Sequence, residues 1–137
     1  MDLDLQGKSV IVTGSASNIG RAIALGFAAE GAKVTIADLD TAAGERVAAL
    51  ALKNGAAAAR VVKTDVTDLA SVQALFQEAN DAHGGIHCLV NNVGWDKLMF
   101  FTQTTPDLWQ KLIAINYVGV LNCTKTALEY MPPAGGG

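Results

Sequence analysis

The chain has 137 residues, of which 50% are hydrophobic, and a formal net charge of −3. This length suits one domain with a sizeable buried core. The acidic balance argues against nucleic-acid binding, which usually needs a basic face. No apolar run approaches the roughly 20 residues that span a bilayer, and the start MDLDLQGKS lacks a secretory signal. We therefore expect a cytoplasmic protein that does not enter a membrane.

Cys88 and Cys123 lie within apolar patterns and lack the spacing of metal ligands. A cysteine within an apolar pattern is typically a buried thiol, and disulfides are rare in the cytoplasm. We expect two free cysteines, no disulfide and no metal site.

Short β-branched runs alternate with longer amphipathic runs along the chain. Nearly continuous apolar runs predict four strands of a parallel sheet covered on both faces: Ser9–Gly14, Lys33–Asp38, Ala59–Val66 and Ile86–Asn92. Amphipathic spacing predicts helices over 19–27, 43–51 and 69–79, and a longer fourth helix from the N-cap Thr105 to near Met131. The alternation predicts an α/β fold: one domain over 1–137 with a Rossmann-like, doubly wound parallel sheet of order 3-2-1-4, incomplete at its C-terminal side.

A turn of small residues, TGSASNIG, joins the first strand to the first helix. Gly14 allows the tight turn, Ser17 supplies a hydroxyl, and Gly20 lets the helix pack closely on the strand. Asn18 tolerates left-handed backbone angles better than other non-glycine residues do, so the turn can form without a central glycine. Backbone amides at such a helix start can bind a nucleotide pyrophosphate. The spacing differs from the G-x-G-x-x-G pattern, and glycine turns after strands also occur without any ligand.

Asp38 ends the second predicted strand, where a carboxylate can accept hydrogen bonds from the ribose hydroxyls of an adenosine. A 2′-phosphate would meet a like charge there. No Arg or Lys stands beside Asp38 or within the turn, so NAD is expected rather than NADP. In the alternative interpretation, the segment ADLD only caps the next helix, although Asp40 or Thr41 can do that without Asp38.

The turn resembles the T-G-x-x-x-G-I-G loop of the short-chain dehydrogenase/reductase family, with Asn18 at the place of its middle glycine. Three further segments are similar to motifs of that family: KTDVTD, LVNNVG and IAINYVGV. The resemblance implies that Asp65 and Val66 contact the adenine and that Asn91 steadies the sheet beside the cofactor ribose. It also implies that Asn116 belongs to the catalytic group, where it holds a water that relays protons.

The resemblance implies an NAD-dependent oxidoreductase that transfers a hydride between the nicotinamide ring and a secondary alcohol or ketone. The predicted cofactor-binding residues are Gly14, Ser17, Asn18, Ile19, Gly20, Asp38, Asp65, Val66, Asn91 and Gly94, with Asn116 as the catalytic residue. The run GWDKLMFF resembles family members that oxidise β-hydroxyacyl-CoA thioesters, so an acyl thioester is a candidate substrate. Relatives are commonly dimers or tetramers built on the long helix, so a homo-oligomer is expected.

The Ser, Tyr and Lys of that family's reaction are not found among the 137 residues. The last serine is Ser71, and neither Tyr117 nor Tyr130 is followed four residues later by lysine. We therefore expect the N-terminal, cofactor-binding half of a longer enzyme, inactive alone and with an exposed sheet edge and helix face. Two alternatives stay open: a non-catalytic dinucleotide-binding or interaction module, and a relative of the nucleotide-sugar epimerases, although those usually carry a G-x-x-G-x-x-G loop that this chain lacks.

Overall fold

Four strands lie side by side in parallel, so the segments that follow them meet at one edge of the sheet. The computed structural model describes residues 1–137, and its strands are β1 (Ser9–Thr13), β2 (Lys33–Asp38), β3 (Ala58–Lys63) and β4 (Cys88–Val90). They pair in the predicted order 3-2-1-4. The helices are α1 (Asn18–Ala29), α2 (Thr41–Lys53), α3 (Leu69–His83), α4 (Pro106–Ile113) and α5 (Gly119–Tyr130). None of them combines the length and apolar character needed to cross a bilayer.

Helices cover both faces of the sheet, because successive side chains of a strand point to opposite faces. Val10 and Val12 of β1 pack in one core layer with α1 and α2, whereas Ile11 packs in the other layer with α3 and α5. All of β1 is buried, and Phe76 of α3 is fully buried in the second layer. The predicted doubly wound α/β fold is confirmed.

Two strands are shorter than the apolar pattern of the sequence predicts. β3 ends at Lys63 instead of Val66, and β4 comprises only Cys88–Val90. β4 lies at the edge of the sheet and pairs with β1 alone. Side-chain hydrogen bonds, described below, hold the residues that follow it.

The predicted fourth helix is not regular. α4 continues into a π-helical segment, Ala114–Val118, and then into α5. Within that segment the Asn116 side-chain amide donates to the Leu112 carbonyl at 3.0 Å, where it competes with the backbone ladder. The prediction of one uninterrupted α-helix is therefore wrong over this segment. Short π segments inside α-helices are often found at functional sites.

Both cysteines are free thiols. The prediction of two buried thiols is confirmed for Cys123, whereas Cys88 packs against the core with part of its surface exposed. Cys123 is buried, and burial raises its pKa to about 11. Cys88 is half-buried, and burial raises its pKa as well.

We expect the free energy of unfolding to fall when the pH drops below about 6.5, the ordinary pKa of histidine. Burial of His83, with further contributions from the charges of Lys33 and Arg60, lowers the pKa of its imidazole. Besides these cations, the ring faces the hydroxyl of Thr35. Below pH 6.5 the unfolded chain gains a proton that folded His83 resists, so stability is complete above this pH and is lost as the pH falls towards the folded pKa.

Urea denaturation at pH 7.5 and 5.5 measures this difference, with His83→Gln as the comparison. A loss of stability of equal size in the variant would show that another group causes it.

Candidate functional site

A cleft of about 700 Å³ lies where the segments after the four strands converge. Ligands of open α/β sheets bind at this edge. All of the predicted site residues except Asn91 and Asn116 line the cleft. The sheet thus brings together residues from four separate segments of the sequence.

The turn after β1 has the backbone shape that its sequence predicts. Gly14 has a φ of +64° and Asn18 a φ of +49°, so asparagine occupies the left-handed region. Most side chains are strained there, whereas glycine and asparagine adopt it readily. Ser17 and Ile19 are exposed on the cleft side of this turn.

Gly20 allows α1 to approach the end of β1 closely. A Cβ at position 20 would collide with the Gly14 carbonyl oxygen and with the Asn92 side-chain amide. That amide donates to the carbonyls of Thr13 and Gly14, both at 3.1 Å. Any side chain at position 20 would push the start of α1 away from the turn.

The start of α1 is the helix N-terminus that opens into the cleft. α2, α3 and α4 begin with side-chain caps, in which Asp40, Asp68 and Thr105 accept a backbone amide. The corresponding residue of α1, Ser17, makes no such bond. The first intrahelical bond is donated by Arg21, so three amides at the helix start have no acceptor within the protein. These amides and the positive end of the helix dipole suit an anion.

Asp38 ends β2 on the other side of the turn. Its Oδ2 accepts from the Ala16 amide at 2.9 Å, and its Oδ1 accepts from the Asp40 amide at 3.0 Å. The side chain is partly exposed at the cleft. Each carboxylate oxygen has a second lone pair, so the group can still accept from ligand hydroxyls.

The segment after β3 forms another wall of the cleft. Asp65 is exposed, and its Oδ1 accepts from the amide and the hydroxyl of Thr67 at 2.9 and 2.7 Å. Val66 is buried, and its carbonyl accepts from the Asn122 side chain. Gly119 packs against Val66, because a Cβ there would lie 2.6 Å from Val66 Cγ2.

The two predicted residues outside the cleft, Asn91 and Asn116, form hydrogen bonds between segments that surround it. Asn91 faces α5, where its amide donates to the Thr124 hydroxyl at 3.1 Å. The Asn116 Oδ1 accepts from the Trp95 amide at 3.0 Å, and its Nδ2 donates to the Trp95 carbonyl at 2.7 Å. Asn116 therefore fastens the loop after β4 to the long helix.

Among the cleft residues that sequence reasoning missed, Asn92 and Lys111 make specific contacts. Asn92 ties β4 to the glycine turn, and the LVNNVG motif pointed to its neighbour Asn91 instead. The Lys111 ammonium lies 4.3 Å from the centroid of the Trp95 ring, within the range of a cation–π contact. The sequence contains no signal for Lys111, since a lysine on a helix is ordinarily solvated.

We expect Gly20→Ala to destabilise the protein by about 3 kcal/mol, because the new methyl group collides with backbone that cannot move aside. Gly26→Ala is the matched control in the same helix. Nothing lies within 4 Å of a Cβ at position 26, so this variant gains about 0.5–1 kcal/mol from helix propensity. Thermal and urea denaturation measure both variants, and equal stability of the two would contradict the close packing.

Comparison with known proteins agrees with this architecture. A model of the short chain dehydrogenase family matches residues 8–137. The chain is 37% identical to the short chain dehydrogenase/reductase astE of Aspergillus oryzae, over 97% of this chain and 51% of that protein. It is 36% identical to an NADP-dependent (R)-specific alcohol dehydrogenase of Lentilactobacillus kefiri, over 96% of this chain and 51% of that protein.

Among solved structures, a proposed short-chain alcohol dehydrogenase from Sinorhizobium meliloti 1021 superposes with a TM-score of 0.93 at 29% identity. The match covers 100% of this chain and 54% of that one. The chain thus spans about half the length of the curated relatives it matches. On the family match over nearly all of its residues, together with the fold, the chain belongs to the short-chain dehydrogenase family.

Proposed function

We propose that the chain forms the cofactor-binding part of an NAD-dependent oxidoreductase, which transfers a hydride between the nicotinamide and a secondary alcohol or ketone. The observation that carries this proposal is the uncapped start of α1, which opens into the cleft opposite the Asp38 carboxylate. Amides without acceptors suit the two phosphates of a dinucleotide, and a carboxylate suits the hydroxyls of its ribose. Because Gly20 has no side chain, the start of α1 lies close against the Gly14 carbonyl.

The charges around Asp38 favour NAD over NADP. A 2′-phosphate beside Asp38 would meet a carboxylate, and the next helix N-terminus, that of α2, is already capped by the carboxylate of Asp40. The cation of the cleft, Lys111, lies instead on α4 over the Trp95 ring. A relative that uses NADP belongs to the same family, so this preference depends on the residues of this chain.

The remaining residues of the cleft have roles around the bound cofactor. The nicotinamide supplies the hydride acceptor or donor when the cofactor is bound. Val66 and Ile115 offer an apolar wall for the adenine. The exposed Asp65 carboxylate can accept a hydrogen bond from the amino group of the adenine. Asn116 holds the loop at Trp95. Its water-binding role, which the family resemblance implies, stays a prediction.

Exposed apolar side chains in the loop after β4 favour a substrate with an apolar group. Leu98, Phe100 and Phe101 are 101%, 79% and 77% exposed, although water is a poor environment for such side chains. An acyl thioester or another alcohol with an apolar group would cover them. The thioester is the more specific of these proposals and rests on the run GWDKLMFF.

We expect Asp38→Ala to weaken NAD binding by about 10- to 100-fold, since hydrogen bonds to a charged group contribute about 1.5–3 kcal/mol. The same change removes a negative charge that repels a 2′-phosphate. The affinity for NADP therefore falls less than the affinity for NAD, and the ratio of the two affinities becomes smaller. Calorimetric titration with both cofactors measures this, with Asp81→Ala on the exposed face of α3 as the control.

If the Asp38→Ala variant binds each cofactor with the same affinity as the parent chain does, Asp38 does not bind the ribose. If the parent binds neither cofactor, the proposed function fails. Binding of NAD without any turnover of alcohols by a protein that contains this chain would favour the non-catalytic module.

We also propose that a second copy of the chain packs on the long helix. Four apolar residues at intervals of four expose between 39% and 63% of their surface along α4 and α5: Trp109, Ile113, Tyr117 and Leu121. An exposed apolar stripe of this kind is typical of an interface. β4 is an edge strand, so the backbone groups on its outer side have no partner strand.

Light scattering is expected to show a dimer or a larger assembly of the chain, and Leu121→Glu is expected to shift it towards the monomer. Leu52→Glu, which places the same charge at an exposed leucine of α2, is the control. If the parent chain is a monomer in solution, this proposal is wrong.

A further inference from the structure

The end of β2 and the glycine turn are linked by more than the sheet ladder. The Gly14 amide donates to the Ala37 carbonyl at 2.7 Å. The Ala37 amide in turn donates to the Ser15 hydroxyl oxygen at 3.2 Å, and the Ala16 amide donates to Asp38 Oδ2. Three consecutive residues of the turn are thereby bonded to two consecutive residues of β2.

Ser15 is the buried centre of this link. It has no exposed surface, and its hydroxyl donates to the Val12 carbonyl at 2.6 Å while accepting from Ala37. Ser15 does not line the cleft, so it cannot touch a ligand there. Any effect of Ser15 on binding must act through the shape of the turn.

Asp38 contributes to the link from the cleft side. Its two oxygens already accept from the amides of Ala16 and Asp40. Hydrogen bonds from amides to a carboxylate are stronger than those between neutral groups. The lone pairs that remain can receive ribose hydroxyls, so one carboxylate serves both the turn and the ligand.

We propose that Ser15 and Asp38 are positioning residues, which set the phosphate-facing turn before any cofactor binds and so couple ribose recognition to phosphate recognition. This inference rests on the proposed function for the identity of the ligand. Its structural part, the ordering of the turn by β2, concerns the ligand-free chain. A substitution of Asp38 therefore changes two contacts of the cofactor at once.

Hydrogen exchange of the ligand-free chain tests the structural part. Ser15→Ala and Asp38→Ala are expected to speed exchange of the Ala16 amide about tenfold. Alanine at position 38 removes both acceptor oxygens, so the Ala16 amide loses its side-chain partner. Thr35→Val, which removes another buried hydroxyl from β2, is the control and leaves the Ala16 amide unchanged. Equal acceleration at core amides such as Ile36 would mean global loosening and would overturn the proposal.

Calorimetry with ADP and with adenosine tests the coupling. Ser15→Ala is expected to weaken ADP about tenfold and adenosine less than about twofold, because only ADP carries the phosphates that the turn amides receive. Equal losses for both ligands, or the same loss of ADP affinity in Thr35→Val, would overturn the coupling. If the parent chain does not bind ADP, the proposed function fails, while the exchange experiment still decides the ordering of the turn.

Discussion

The close approach of α1 to the end of β1 is the constraint on which the cleft depends. It exists because position 20 carries no side chain between the helix, the Gly14 carbonyl and the Asn92 amide. If the helix started further away, its free amides would no longer converge with Asp38 on one small volume. The left-handed backbone at Asn18 belongs to the same constraint, since it turns the chain into the helix without a longer loop. A few backbone requirements thus leave unpaired amides of neutral residues at the edge of the cleft.

Asparagines hold the opposite wall of the cleft. Asn92 bonds the end of β4 to the carbonyls of β1 and its turn, and Asn116 bonds the next loop to the long helix. Amide side chains suit such places, because each presents a donor and an acceptor to irregular backbone at the same time. The walls are therefore bonded to one another before a ligand arrives, which lowers the ordering cost of binding.

The strands and the first three helices could be predicted from the sequence because their apolar periods are strong and local. Strand ends were less predictable at β3 and β4, where pairing with neighbours decides the length. The left-handed turn and the position of Asp38 at the cleft were predictable, because the small residues of the turn and the end of the second apolar run are visible in the sequence. The Asn92 and Lys111 contacts were not predictable, since each joins residues distant in sequence that meet only in the folded chain. The π segment around Asn116 was not predictable either, because the apolar pattern of the long helix continues through it.

The two thiols occupy opposite faces of the sheet, with Cys88 beside the layer of α1 and α2 and Cys123 inside the layer of α3 and α5. Burial raises the pKa of Cys123 to about 11, so at pH 7 the side chain is the protonated thiol and not the reactive thiolate. Alkylating reagents consequently reach the buried Cys123 sulfur mainly when the layer of α3 and α5 opens, whereas Cys88 is only half-buried. The rate of Cys123 alkylation therefore reports how often the layer of α3 and α5 opens, separately from the layer of α1 and α2.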